Sequence, residues 1–235
     1  MSLVSYFITC AHPDPGRRLA VEARTDLASR LARIPGLLKA HLFTPAAARD
    51  RYIDDGPPPM LTLQLYFKGL QALEAAVSTG GGLWPLATAP PADLSDARIS
   101  KQAMLTRCFP VAQPREGRVD AQAACSFLVH YPGEALDLNA WLTHYLSNHV
   151  ALMCQFPNVR VVEVYTRLDW IDALPWTREN HFQRNKIGFD SAAALERALH
   201  SPVREAMKAD RARFPTFWGG SVHCPLITET VAPTE

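Results

Sequence analysis

Apolar and polar positions along this chain change rhythm at regular intervals, and the changes mark its elements. Leu3 to Thr9 is an apolar run closed by the breaker cluster AHPDPG, and it reads as a strand. From about Arg17 to Arg33, Leu19, Ala23, Leu27 and Leu31 recur every fourth residue, the mark of a helix with one buried face. Pro35-Gly36 ends that helix, and Leu37 to Thr44 reads as a second strand. Asp54-Asp55-Gly56-Pro57-Pro58-Pro59 is excluded from regular structure, because successive prolines remove donors and restrict the residue before them. Met60 to Phe67 is a strand, Leu70 to Ser78 a short helix halted by Gly80-Gly81-Gly82, and Gln102 to Val111 a fourth strand. The polar stretch from Ala112 to Asp120 is the linker candidate.

The order then repeats. Cys125 to Tyr131 is a strand, Pro132-Gly133 a turn, and Asp137 an N-cap for a helix from Leu138 to about Gln155. Asn158 to Thr166 and Phe182 to Phe189 are strands separated by a long loop holding Trp170 and Trp176. Ser191 caps a helix to His200, Pro202 opens another to about Arg213, and Phe217 to Ile227 is the last strand. Pro35 and Pro157, Phe67 and Phe189, and Leu73 and Leu195 all stand 122 residues apart, so three elements hold one register. Two copies are too few for a solenoid. Each half reads βαββαβ, the split βαβ pattern of ferredoxin-like folds, with domains at 1–114 and 121–231. Phe127-Leu128-Val129 and Val161-Val162 are apolar on both strand faces, so both faces must be covered. Helices cover one, and the sheet of the other half covers the other. The expected architecture is α+β: two tandem ferredoxin-like domains packed sheet to sheet as an intrachain dimeric α/β barrel with a cleft.

Composition narrows the partners. The 235 residues are 48% hydrophobic and 20% charged with a formal net charge of +1, which gives no electrostatic reason for a nucleic-acid partner. Arg204, Lys208, Arg211 and Arg213 read as the solvated face of a helix. No stretch approaches the ~20 apolar residues of a membrane span. The N-terminus lacks a charged n-region, so a cytoplasmic protein is expected. Five scattered cysteines without a CxxC pair argue against a disulfide framework or a structural zinc site.

The candidate chemistry centres on the helix from Leu138 to Gln155. Trp141, Tyr145 and His149 share an apolar stripe, while His144 and Asn148 are expected to point elsewhere. A histidine facing apolar surface needs a hydrogen-bond partner. Two readings stand: a core histidine satisfied by a carbonyl, or a general acid or base whose pKa the pocket tunes toward neutrality. His144 and His149, five apart, fall on different faces of an α-helix and make no zinc pair. His41 and Glu163 are equivalent by the 122 offset and share a strand face with Phe43 and Tyr165. If that face looks into the barrel, Glu163, Tyr165 and His41 line the cleft; otherwise they are surface residues. Tyr131, Trp218 and His130 are further candidates for lining or gating a pocket. No GxGxxG, P-loop or GxSxG motif is present.

The second half resembles an EthD-type domain of the dimeric α+β barrel superfamily. The resemblance rests on FLVHYPG, HYLSNHVAL, PNVRVVEVY and GFDSAAALERALHSP, with Asp210 and Phe214 of MKADRARFPTF fitting a D-x-x-x-F signature. It covers roughly Cys125 to Thr230. It implies that His149 is the characteristic histidine; Asp210 is either a carboxylate that orients it or a surface or helix-end carboxylate. It further implies a small protein without a cofactor that acts on an aromatic, ether or polyketide type of metabolite. Leu27 and Thr88 stand where the first half would carry the counterparts of His149 and Asp210. The first copy is therefore expected to be a degenerate, built-in partner, with a further homodimer left open. The expected function is cofactor-free proton transfer on a small oxygenated organic molecule. A non-catalytic binding protein for a hydrophobic metabolite is the alternative. Haem binding through one histidine, known in some enzymes with duplicated ferredoxin-like units, is a third reading without a local sequence mark.

Overall fold

In the computed structural model, which describes residues 2–112 and 124–234, the same pairing order appears in each half. β1 (Leu3–Ala11) lies between β3 (Leu61–Lys68) and β4 (Arg98–Phe109), and β2 (Leu37–Pro45) flanks β3. β5 (Ala124–Tyr131) lies likewise between β8 (Gln183–Phe189) and β9 (Val222–Val231), with β6 (Val161–Arg167) beside β8. The edges then pair crosswise, β2 with β9 and β4 with β6, closing eight antiparallel strands into a barrel. Closure leaves no open edge on those strands. A two-residue β7 (Thr177–Arg178) runs parallel to β4 outside the ring. The 122 offset governs strand register as well. His41 faces Gln64 as Glu163 faces Lys186, and Phe43 faces Thr62 as Tyr165 faces Arg184. The predicted linker from Ala112 to Asp120 falls, beyond its first residue, outside the described residues.

Helices α1 (Val21–Leu31), α2 (Leu70–Val77) and α3 (Trp84–Thr88) lie in the first half. α4 (Leu138–His144), α5 (Val150–Met153), α6 (Ala192–Leu199) and α7 (Pro202–Arg211) lie in the second. The predicted caps form: the Asp137 carboxylate accepts from the Ala140 amide and the Ser191 hydroxyl from that of Ala194. The last strand starts at Val222, not Phe217. Residues 217–219 instead cross the Pro132-Gly133 turn, where the Trp218 amide donates to the Glu134 carbonyl. The crossing is so close that a Cβ on Gly133 would sit 1.9 Å from the Trp218 carbonyl oxygen.

Strands β5 and β8 are buried along their whole length because both faces are covered. The outer face meets helices. The inner face meets the barrel interior, which holds a small apolar cluster including Phe7, Phe43, Leu128 and Leu226. It also holds a polar network the sequence pattern does not reveal. Lys186 Nζ lies 2.8 Å from Glu163 and donates to Gln64 at 3.1 Å; both Tyr66 and Tyr165 donate to Glu163, at 2.7 and 2.5 Å. Burial pushes the Glu163 carboxyl up, but Lys186 and Lys39 overcome it and hold the group well below the usual range. Lys186 and Gln64 are themselves 122 apart, so equivalent positions of the two halves touch across the barrel.

The halves also exchange loops. The chain between β2 and β3 crosses to the second half, where Asp50 makes a 2.7 Å ion pair with Arg204 of α7. The equivalent chain between β6 and β8 crosses to the first half, where Asp172 pairs with Lys101 of β4 and Trp170 meets Tyr6 edge-on. Asp50 and Asp172 are 122 residues apart. Both acids and both bases are at least nine-tenths buried in their side chains. Removing one partner of a buried pair strands the other charge, at a cost of about 3–5 kcal/mol. Asp172→Asn is therefore expected to lower the free energy of unfolding by about that amount, as read from the midpoint of urea denaturation.

Candidate functional site

The helix that carries His149 does not keep one pitch. Between α4 and α5, Tyr145–His149 form a π-helical turn in which the Val150 amide donates to the Tyr145 carbonyl. In an α-helix, positions five apart point about 140° away from each other. The wider turn brings them together, and such turns are common at functional sites. His149 and His144 consequently meet one carboxylate, Asp210 near the end of α7. His149 Nδ1 lies 2.8 Å from Oδ2 and His144 Nε2 3.1 Å from Oδ1. The expectation that His144 points elsewhere is thus corrected, because it presupposed an unbroken α-helix. Phe214, one turn beyond Asp210, stacks edge-on against His149 with ring centroids 4.8 Å apart. It also packs on Trp141 and Tyr145. This explains a D-x-x-x-F spacing: one residue anchors the imidazole nitrogen and the other holds its ring face.

His149 is buried, and burial lowers its pKa to about 4 against the opposing pull of Asp210, so the expectation of a value tuned toward neutrality is corrected. At neutral pH the ring is uncharged. The carboxylate selects the tautomer with the proton on Nδ1, leaving the Nε2 lone pair for the cavity that His149 lines. Phe127, Val129, Tyr131 and Ile187 form the sheet side of that cavity, and Met153 and Met207 part of the helix side. The enclosed space is about 50 Å³ and widens to about 490 Å³ when the mouth is counted. Ile53, on the loop crossing from the first half, also lines it. A neutral imidazole with one fixed N–H and one free lone pair, in an apolar chamber, is equipped to take a proton from a carbon or oxygen acid.

Several expected site residues lie elsewhere. Tyr131 lines the cavity. Tyr145 is packed behind the wall, its ring 4.9 Å from His149 and its hydroxyl accepting from Asn185 at 2.6 Å. Glu163 and Tyr165 are on the other face of the sheet, inside the barrel, because Val162 and Val164 take the helix side of β6. His41 belongs to that inner face too, its ring 5.3 Å from Tyr66 and its Nδ1 3.1 Å from Thr230 Oγ1. Trp218 is 54% exposed, carried outward where the chain crosses Gly133. His130 faces the interior beside His181. The basic residues of α7 are not simply a solvated face. Arg204 is buried against Asp50, Arg211 lines the cavity and donates to Ser221, and Lys208 sits 4.3 Å over the Tyr52 ring. Asn185, Arg211, Met207 and His223 line the cavity without having been singled out by pattern. The 122 offset would have marked Asp50 through Asp172, but neither shows a partner in sequence. Among the described residues no cluster of His, Cys, Asp and Glu could hold a metal ion, and no helix is long and apolar enough to cross a membrane.

No protein-family model and no curated protein matches the chain. Solved structures do. An anthrone oxidase-like protein superposes with a TM-score of 0.60 at 12% identity, covering 100% of this chain and 94% of its own. A candidate monooxygenase from Lactobacillus acidophilus NCFM gives 0.55 at 10% identity, covering 99% and 97%. A chlorite dismutase variant from Candidatus Nitrospira defluvii gives 0.50 at 11%, covering 96% and 92%. The chain has the fold of the dimeric α+β barrels. At these identities the likeness extends to the fold alone.

The depressed histidine makes a stability prediction. Unfolded, His149 titrates near the ordinary imidazole value of about 6.5; folded, it stays neutral to about 4. The unfolded chain therefore binds more protons in that window, and stability is lost as pH falls from about 6.5 towards 4. His130 and His181, also lowered mainly by burial, extend the same limb. His149→Gln should flatten the fall measured by urea unfolding, and imidazole NMR should show no protonation of His149 above about pH 5.

Proposed function

We propose that this protein is an enzyme that needs no cofactor and moves a proton to or from a small, partly apolar, oxygenated organic molecule. His149 is the general base and Asp210 the residue that orients it. The observation that carries this reading is the 2.8 Å contact between His149 Nδ1 and Asp210, made where burial keeps the ring neutral. It is the base-and-orienter geometry of catalytic pairs. The likeness to an anthrone oxidase-like protein suggests an aromatic or polyketide-type substrate. The EthD-type assignment of the second half remains part of this proposal, supported by His149, Asp210 and Phe214 meeting as one unit. So does the division into domains 1–114 and 121–231 with a degenerate first copy. The repeated strand orders and registers support it. So does Leu27, the counterpart of His149, which sits in the apolar core of the first half.

The apolar cavity also suits a protein that binds a hydrophobic metabolite without changing it. Hydrogen exchange separates the two. With anthrone as probe in deuterated buffer, the base removes a methylene proton to His149 Nε2 and a solvent deuteron returns to carbon. The enzyme should accelerate this exchange, and His149→Ala should reduce the acceleration by about 10²- to 10⁴-fold with the fold intact by circular dichroism. Asp210→Asn should cause a smaller loss. Equal exchange in wild type and His149→Ala would sink the catalytic role. Binding of anthrone without accelerated exchange would favour the carrier. For haem, the nitrogen is suitably placed, since an axial histidine anchored through its other nitrogen is common. A colourless preparation after expression with haem supplied would argue against this reading.

A further inference from the structure

A second cavity opens at the rim of the barrel, on the inner face of the sheet and away from Asp210. Its walls include Thr9 of β1, Ser100 of β4, His130 of β5 and Arg184 of β8, and the Gly56-Pro57-Pro58-Pro59 segment helps to enclose it. It holds about 110 Å³. Arg184 is 1% exposed and among the largest fully buried side chains, yet Nε and Nη1 have no hydrogen-bond partner. Its third nitrogen reaches Gln102 at 3.3 Å, and its guanidinium lies 4.8 Å from the Phe7 ring centroid. Arg184 makes no salt bridge among the described residues. A guanidinium does not escape this by losing its proton, so the barrel encloses a positive charge that no carboxylate touches among the described residues, Glu179 attracting it only from a distance. Such a charge is strongly unfavourable unless something pairs with it.

The surrounding groups are of matching kind. His130 Nδ1 and His181 Nδ1 are likewise buried without partners, and the two rings lie 5.4 Å apart. Burial and the neighbouring Arg184 keep both rings neutral, so each carries one N–H: His181 holds its proton on Nε2, beside Glu179, and His130 can carry its own on Nδ1. Two carboxylates border the space and both are engaged. Asp55 accepts from the His223 backbone amide and lies 2.7 Å from His223 Nδ1, and Glu179 lies 3.5 Å from His181 Nε2.

We propose that this cavity is a binding site for one small monovalent anion, a carboxylate or a halide, held by Arg184 with His130 as a hydrogen-bond donor. Arg184 and His130 both line this space, which is large enough for several waters or one small anion. One negative charge neutralises the buried cation, and a dianion would over-compensate it. The site does not depend on the His149 reading, because it uses none of the residues that anchor that histidine.

The test is a thermal-shift titration of the full chain with sodium formate, sodium acetate and sodium chloride in parallel. A ligand that binds only the folded state raises Tm along a saturable curve. Saturable stabilisation in wild type, absent in Arg184→Met, is the expected result. Without added anion, Arg184→Met should melt at or above the wild-type temperature, because an unpaired buried charge has been removed. His130→Phe keeps the ring volume but removes a donor, and should raise the midpoint concentration by about tenfold; it serves if Arg184→Met does not fold. A tighter response to formate and acetate than to chloride assigns the site to carboxylates, and the reverse order to halides. A stabilisation that rises without saturation, or equally in wild type and both variants, is a general salt effect and overturns the proposal.

Discussion

The structure depends on a reciprocal exchange between its halves. Asp50 and Asp172, equivalent by the 122-residue offset, each leave their own half and end in a buried ion pair with the other, on Arg204 and Lys101. The crosswise pairings β2 with β9 and β4 with β6 close the barrel. The exchanged loops then seal the outer layers, bringing Ile53 to the His149 cavity and Trp170 and Leu174 to the first core. Because each acid is buried, neither loop can lift away without stranding a charge on the other half. Each sheet-and-helix layer is completed by residues from the other half.

The site itself is made by a local defect in a helix. An unbroken α-helix would send His144 and His149 to different faces. The π turn instead delivers both to Asp210, and Phe214 closes over the ring. Two opposing forces then set the state of His149. The carboxylate favours its charged form and burial disfavours it, and burial wins. The outcome is an oriented, neutral imidazole, which differs chemically from the charged ion pair the same contact would form at a surface.

The two faces of the sheet have become different environments. Facing the helices, β8 presents Asn185 and Ile187 to an apolar cavity. Facing inward, it presents Arg184 and Lys186 to a polar interior. Lys186 finds Glu163, Tyr66 and Gln64, and that network is satisfied. Arg184 has no such partner. The contrast between two cations two residues apart on one strand marks the rim cavity as unlike the rest of the barrel.

Much of this was legible in the chain. Hydrophobic periodicity placed the strands and main helices, Asp137 and Ser191 announced their caps, and the offset exposed the repeated order. Both-faced burial of β5 followed from runs such as Phe127-Leu128-Val129. The resemblance picked out His149, Asp210 and Phe214 together. The rest was not legible, because it depends on which half each side chain meets. Glu163 and Tyr165 could face in or out on period alone, and only the barrel put them inside with Lys186. Arg204 looked solvated until Asp50 arrived from the other half. A π turn leaves no mark in a spacing read at 3.6 residues per turn. Sequence determined local structure and its repetition, because those follow from neighbours in the chain. Tertiary structure decided burial, protonation and most partners, because these depend on atoms from distant parts of the chain, 61 residues apart for His149 and Asp210 and 154 for Asp50 and Arg204.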